Sequence, residues 1–442
     1  MKSSLSHPLF LVSFFLFSLG AAEERPVSRP NILFILADDL GYGDIGAYGC
    51  EDIRTPHLDR LAAEGVKFTD FYANAAVCTP TRAAFLTGRY QHRIGMENAL
   101  YYQETGRGLP EEGETIADAL AGAGYRTGLS GKWHLGYDFE RRPLQQGFDH
   151  FFGLLGGNHH YFEHMDRIGV PDLWLGNEEV ERTGYSTDLV TEDAIRFIEV
   201  EDDRPFFLYL SHPAPHFPWQ GPDDIKKSIQ PKKKSWQQGD RETYVAMVER
   251  MDEGIGEVLA KLDELGLREN TLVVFTSDNG GHTYSRNEPL KGAKATIWEG
   301  GTRVPCLVRW PSVIPAQSMS SQVGITMDWA STFRGLAGLP SDPAGEDGVN
   351  LLPCLKDPDL VDDRTLFWRR KSGPVRKNIE EGRAVRRGNW KLVEQADGGR
   401  FLYDLAIDPG EEVNLVEQHP ELIAALGKAL DQWEAEIDSS TP

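Results

Sequence analysis

The chain reads as an α/β protein: a mostly parallel sheet flanked by helices, followed by a smaller C-terminal antiparallel α+β subdomain. Three observations predict this. Four short apolar runs have the length of buried strands and end in polar residues, helical patterns separate them, and after the Pro- and Gly-rich stretch from Leu339 to Pro353 the pattern changes. Asn31 to Ala37 runs into Asp38 and Asp39, Tyr125 to Ser130 into Lys132 and His134, Pro205 to Ser211 into His212 and His216, and Thr271 to Ser277 into Asp278 and Asn279. In an open parallel sheet the ligand crevice lies outside the carboxyl ends of the strands, so these groups are predicted to converge on one site.

The helical segments follow from their caps and periodicity. Thr55-Pro56 gives a cap and a first turn that Gly65 stops; Glu114 to Ala123, Asp188 to Val200 and Tyr244 to Leu265 carry the apolar spacing of helices packed on a sheet. Thr79-Pro80 reads as an N-cap and first helical position, with Gly88 closing that short helix. Beyond residue 353, Leu366 to Arg370, Arg383 to Arg387, Trp390 to Glu394 and Phe401 to Leu405 are short strands, and Glu421 to Ile437 is an amphipathic terminal helix. The expected organisation is a signal peptide over residues 1–22, a catalytic domain over 23–345 and the C-terminal subdomain over 346–442.

Met1 and Lys2 precede the apolar run Leu9 to Leu19 and the small residues Gly20, Ala21 and Ala22, the layout of a secretory signal that is too short to span a bilayer. No other stretch qualifies as a membrane span. At 442 residues the chain has enough length for a large core, and its apolar content of 40% is that of a globular protein. The formal charge of −22 becomes −23 once Lys2 leaves with the signal, which excludes a nucleic-acid binder and requires a locally positive pocket for any anionic substrate. Cys50, Cys78, Cys306 and Cys354 are too few for a disulfide framework. No asparagine opens an Asn-x-Ser/Thr site, which favours a bacterial periplasmic or extracellular protein over a glycosylated one.

The most informative run is Cys78-Thr-Pro-Thr-Arg-Ala-Ala-Phe-Leu-Thr-Gly-Arg89. It places a nucleophile at a helix start, where unpaired N–H groups favour an anion, with Arg82 one turn inside. The run resembles the signature of the formylglycine-dependent sulfatases, Cys-x-Pro-x-Arg followed by Leu-Thr-Gly-Arg; position 81 is Thr where Ser or Ala is commoner. The resemblance spans almost all of the mature chain. It implies an alkaline-phosphatase-like core with a small C-terminal sheet, and oxidation of Cys78 to the aldehyde 3-oxoalanine by a formylglycine-generating maturation enzyme. A hydrated aldehyde offers one hydroxyl to attack sulfur and another to expel the sulfate afterwards.

Asp38, Asp39, Asp278 and Asn279 form a set of hard oxygen donors suited to calcium or magnesium. In the sulfatases the matching residues, with the side chain at 78, hold a divalent cation, usually Ca2+, with Mg2+ also possible. Gly131-Lys132-Trp133-His134-Leu135-Gly136 matches the family segment whose lysine and histidine hold the aldehyde hydrate and the substrate oxygens. His216, in Pro215-His216-Phe217-Pro218, matches the histidine that protonates the leaving alcohol. Lys294 matches the sulfate-binding lysine five residues before the glutamate of Glu299-Gly300-Gly301, while Lys291 has the wrong spacing. The implied chemistry has Arg82 and Lys132 orient the nucleophile, Asp278 help deprotonate it, His216 act as acid and His134 as base.

The implied substrate is an aryl sulfate or, as the better fit to the arylsulfatase A and N-acetylgalactosamine-6-sulfatase types, a sulfated carbohydrate. The loop Gly156-Gly157-Asn158-His159-His160-Tyr161-Phe162 has the polar and aromatic groups of a sugar pocket, although satisfied loop side chains explain it equally well. Basic runs at Lys226-Lys227, Lys232 to Lys234 and Arg369 to Lys377 could meet a polyanionic glycan against the acidic background, but a solvated face is the simpler reading of each. Two other functions fit the same residues: a phosphonate or phosphate monoester hydrolase, and a non-catalytic secreted glycan-binding relative. The second should have lost one or more of Cys78, Arg82, Lys132, His134, His216 and Lys294, and all are present.

Overall fold

A computed structural model describes residues 29–226, 229–341, 345–372 and 380–440. The signal-peptide reading of residues 1–22, Lys227 and the end of the basic run at Lys377 lie outside the described residues.

Five parallel strands form the centre of a ten-stranded sheet, in the order Thr271–Ser277, Asn31–Ala37, Phe206–Ser211, Arg126–Lys132 and His150–Leu154. The sequence analysis singled out four of these. The edges are shorter and mixed: Cys306–Arg309 and Val66–Phe68 add antiparallel on one side, Ser318–Ser320 pairs parallel beyond them, and Trp174–Leu175 and Glu178–Glu179 finish the other side antiparallel.

The central strands are buried on both faces because βαβ crossovers place helices on each side. Residues of one parity, Ile32, Phe34 and Leu36, pack with Phe85, Leu86, Trp329 and Phe333. The other parity, Leu33, Ile35 and Ala37, packs with the helices Pro56–Ala63, Ser186–Glu199 and Arg241–Glu264 through Leu58, Val190, Met247 and Ile255. Removing one such side chain, for instance by Phe34→Ala, costs about 3–5 kcal/mol through the lost transfer energy and the cavity left behind.

Helix starts follow side-chain chemistry more closely than apolar spacing does. Asp240 accepts from Thr243 N and begins the long helix three residues before its first apolar position. Thr115 and Asp118 form a reciprocal capping box for Ile116–Gly122. The Thr79 expectation is corrected. The helix Cys78–Thr87 begins at Cys78 itself, with Val77 as N-cap and no side-chain cap. The Thr79 hydroxyl instead donates to His134 O at 3.0 Å and accepts from Leu100 N at 3.2 Å.

At their carboxyl ends the strands approach one another through glycines. Gly131 pairs with Ser211 on one side and Gly153 on the other. A Cβ on Gly131 would lie 1.9 Å from Ser211 O, and one on Gly153 would lie 1.9 Å from Gly131 O. Both glycines also hold left-handed φ angles of 118° and 150°.

Thr365–Arg370, Gly382–Arg387, Trp390–Gln395 and Arg400–Asp404 form a four-stranded antiparallel sheet covered by the helix Pro420–Ser440. Its core, including Trp368, Leu392, Leu426 and Leu430, also contains Tyr72, Ala84, Ile297 and Trp298 from the main unit. The small sheet is thereby packed against the elements that carry Cys78 and Lys294. Among the described residues no helix is long and apolar enough to cross a membrane.

Candidate active site

Three strand ends and one helix start deliver the site. Asp38 and Asp39 leave Asn31–Ala37, Asp278 and Asn279 leave Thr271–Ser277, Lys132 is the last residue of Arg126–Lys132, and Cys78 opens its helix. All six are buried, so each charge must be met by another charge or a hydrogen bond.

Arg82 is the structural link. Its Nε and Nη2 donate to Asp278 Oδ2 at 3.0 and 2.8 Å, while Nη1 donates to Ser211 Oγ at 2.6 Å and to Lys132 O at 3.2 Å. Ser211 Oγ in turn donates to Lys132 O at 2.7 Å. The guanidinium therefore ties the nucleophile helix to three strand ends at once. Lys132 Nζ donates to Asp38 Oδ2 at 2.5 Å, and Lys294 Nζ lies 2.5 Å from Asp39 Oδ1 and 3.4 Å from Cys78 Sγ. Asn279 Nδ2 donates to Asp39 Oδ1 at 2.8 Å, and Asp39 N, in a left-handed conformation, donates to Asp278 Oδ1 at 3.2 Å.

Three buried oxygens, Asp38 Oδ1, Asp39 Oδ2 and Asn279 Oδ1, accept no hydrogen bond. One ligand atom from each of Asp38, Asp39, Cys78 and His216 falls within 4.8 Å of the others. Buried oxygen acceptors without a donor are costly unless something positive fills the space between them, and a hard divalent cation fits that donor set. Burial pushes the Asp38 carboxyl up to about 8 even against the opposing Lys132 ammonium. Asp39 would also be raised by burial, yet Lys294 and His216 hold it well below the usual carboxylate range.

The nucleophile position is strongly cationic. Burial would raise the Cys78 thiol, but Lys132 and Lys294 outweigh it and bring it down to about 6. The site thus favours negative charge at position 78. The two histidines differ in which nitrogen is available. His216 Nδ1 is 2.6 Å from Phe217 O, so Nδ1 carries a proton for that carbonyl and Nε2 faces Asp39 Oδ2 at 3.5 Å. His134 Nε2 is 3.1 Å from Leu100 O, leaving Nδ1 as a buried lone pair with no partner. Burial, with Lys132 and Arg82 beside it, holds His134 well below the ordinary imidazole range and neutral.

A cleft of about 310 Å³ opens directly above Cys78, His134, His216 and Lys294. Among its described lining residues none is acidic, in a chain with 68 Asp and Glu. Sequence reasoning missed Tyr101, Tyr102, Arg167, Gln237 and His282, which also line it. They come from four separate segments, and no local pattern marks them. The 156–162 loop divides. Gly157 and Asn158 line the cleft, whereas His159 bonds Asp172 O and Ser186 Oγ, His160 bonds Gln220, and Tyr161 bonds Pro213 O, all inside the fold. His212 is fully buried with both ring nitrogens unpartnered, and burial holds it down to about 3. Lys291 is placed away from position 78; its ammonium sits 4.0 Å over the Trp298 ring and donates to Glu411 O.

Residues 30–339 match the family model described as Sulfatase, and residues 293–436 match that described as N-sulphoglucosamine sulphohydrolase, C-terminal. Human arylsulfatase A is 33% identical over 487 residues, covering 95% of this chain and 90% of the relative. Human N-acetylgalactosamine-6-sulfatase is 37% identical over 428 residues, covering 90% of this chain and 78% of the relative. The crystal structure of Ps i-CgsB in complex with k-i-k-neocarrahexaose superposes with a TM-score of 0.83 at 34% identity, covering 92% of this chain and 93% of that one.

Proposed function

The chain belongs to the sulfatase family and is a sulfuric ester hydrolase, and from that premise we infer that it desulfates carbohydrates with a formylglycine made from Cys78 and a bound divalent cation. The observation that carries the reading is the buried cluster of orphaned oxygens beside Cys78, enclosed by Lys132, Lys294 and Arg82 under a cleft free of acids. Asp38, Asp39, Asp278 and Asn279, with the side chain at 78, would hold calcium, or magnesium in its place. When present, the cation polarises a sulfate oxygen and the hydrated aldehyde supplies both the attacking and the expelling hydroxyl.

The chain's own groups do the rest. Lys294 and Lys132 meet the negative charge of the sulfuryl group, and Arg82 fixes the helix start relative to Asp278. His216, with Nδ1 committed to Phe217 O, has Nε2 to deliver a proton to the departing alcohol. His134 stays neutral and presents the Nδ1 lone pair for the base step. The relatives named arylsulfatase A and N-acetylgalactosamine-6-sulfatase, and the neighbour bound to neocarrahexaose, support a sulfated glycan as substrate. The phosphonate and glycan-binding alternatives have no comparable support.

The reading includes export. Residues 1–22 would direct the chain to the periplasm or the extracellular space, and a maturation enzyme would act on Cys78 before folding buries it. We also divide the chain at residues 345 and 346, ahead of the antiparallel sheet and terminal helix, although their core is completed by Tyr72, Ala84, Ile297 and Trp298 of the main unit. Mass spectrometry of the Cys78 peptide, from protein coexpressed with a formylglycine-generating enzyme, should show an aldehyde. Cys78→Ala should lower aryl sulfate turnover by at least about 10⁴-fold, with little change in Tm. Full activity with an intact thiol, or faster cleavage of an aryl phosphonate than of the aryl sulfate, would overturn the reading.

A further inference from the structure

Among the described residues that line the cleft, Arg167 is a cation that the chemistry above does not use. Its half-buried guanidinium lines the same cavity as Cys78, His216 and Lys294. Arginines elsewhere in this acidic protein are commonly paired: Arg241 with Asp44 and Asp52, Arg250 with Asp188, Arg303 with Glu299, Arg364 with Asp328 and Arg383 with Glu394. Among the described residues no carboxylate lies within ion-pair distance of Arg167. The Tyr102 hydroxyl interacts with it and with the side chain of Asn158, whose Oδ1 is held by Trp236 Nε1 at 3.1 Å. The guanidinium is therefore positioned, with its charge left for a ligand.

A second basic feature continues outward from it. Lys232 N donates to Arg167 O at 2.9 Å, so the run Lys232 to Lys234, exposed and read from sequence as a solvated face, begins beside the cleft mouth. Among the described residues these lysines too have no carboxylate within ion-pair distance, while Gln237, five residues on from Lys232, lines the cleft. Lys232 acts on the Asp166 carboxylate and the exposed ammoniums are solvated, yet with Arg167 they make a locally positive border in a chain of net charge −22, and an anionic ligand is favoured there.

Resting on the sulfatase reading, we propose that Arg167 is a specificity-determining residue that binds a second anionic group of the substrate. The substrate is then an oligosaccharide carrying another sulfate or a carboxylate near the scissile ester, with the chain extending past Lys232 to Lys234. Tyr101 and Tyr102 give the sugar face an aromatic wall.

The test compares kcat/KM for three substrates: a monosulfated neutral disaccharide, its disulfated counterpart, and a monosulfated disaccharide with a uronate carboxylate. Wild-type enzyme should prefer one of the two dianionic sugars, and the one preferred identifies the second group. Arg167→Gln should reduce that preference by about ten- to a hundredfold, through KM more than kcat, because a charge-assisted bidentate contact is lost. Arg167→Lys should recover part of it. Replacing Lys232, Lys233 and Lys234 together by Ser should flatten the salt dependence of KM for a longer polyanionic oligosaccharide. Equal losses on all three sugars would indicate a merely structural role, and an unchanged preference would show no contact; either overturns the proposal. A wild-type protein that carries the aldehyde yet cleaves no sulfate ester would instead bring down the sulfatase reading, and this proposal with it.

Discussion

Two of the buried charge clusters in the molecule are built differently. At the candidate active site, Asp38, Asp39, Asp278 and Asn279 face Lys132, Lys294 and Arg82, yet Asp38 Oδ1, Asp39 Oδ2 and Asn279 Oδ1 accept no hydrogen bond, and Asp38 and Asp39 each bring a ligand atom within 4.8 Å of those of Cys78 and His216. Between the main unit and the C-terminal sheet, Glu299 is enclosed instead. Its Oε1 takes Lys391 Nζ at 2.8 Å, and its Oε2 takes Tyr72 OH at 2.6 Å and Arg303 Nη1 at 3.3 Å. Glu411 closes the group, with Oε2 accepting from Glu299 N at 2.7 Å and Oε1 lying 3.0 Å from Lys391 Nζ. Burial alone therefore does not mark a functional centre. What separates the two is how closely the protein's own nitrogens approach: Glu411 Oε1, although it accepts no hydrogen bond, has Lys391 Nζ at 3.0 Å, whereas Asp38 Oδ1 faces Arg82 Nη2 only at 3.8 Å and Asp39 Oδ2 faces His216 Nε2 at 3.5 Å.

The comparison is broken most directly at its first half. Removing divalent cations with a chelator should lower sulfate-ester turnover by about 10³-fold or more, with recovery on adding calcium, and Asp38→Asn should lose both the activity and the recovery. Metal content by plasma emission and turnover measured on the same samples would check this; a chelated enzyme at full rate would show that the orphaned oxygens hold no needed ion.

The second half should respond in stability before it responds in rate. Lys391→Met leaves Glu299 and Glu411 buried without their shared cation, so unfolding free energy should fall by about 3–5 kcal/mol in denaturant titrations. Adding Glu411→Gln to that variant should recover part of the loss. A neutral Lys391→Met would show that the buried cluster does not depend on this ammonium.

A smaller effect sharpens the contrast by pH. Burial holds His159 and His212 down to about 3, so both stay neutral in the folded chain while the unfolded chain takes up protons below about 6.5. Their contribution is complete above about 6.5 and is lost as pH falls toward 3. Unfolding midpoints should therefore drop progressively over that window, and His212→Gln should make the slope shallower.

The strand-end chemistry was legible because each polar pair follows directly on a strand whose own apolar run announces it. Asp38-Asp39 and Asp278-Asn279 needed only the parallel-sheet rule to be brought together. The short edge strands were not legible. Val66–Phe68 is three residues interrupted by Lys67, and its partner Cys306–Arg309 lies far along the chain, so nothing local distinguishes either from a loop. The cleft wall was hidden for a similar reason, since Tyr102, Arg167, Gln237 and His282 acquire meaning only by proximity. Thr79 was misassigned because its hydroxyl had a better tertiary partner in His134 O than the helix end offered. The aromatic and histidine-rich loop left two readings open, and each holds for part of it: Gly157 and Asn158 line the cleft, while His159 and Tyr161 are satisfied inside the fold.

The distances around position 78 rest on atoms that are not there. With a methyl group at residue 131 or 153, two neighbouring strands would have to part, and the carbonyl of Lys132 that Arg82 grips would move with them. The reacting centre is thus calibrated by hydrogen atoms in the sheet beneath it, and a change too small to add any charge or polarity would still detune it.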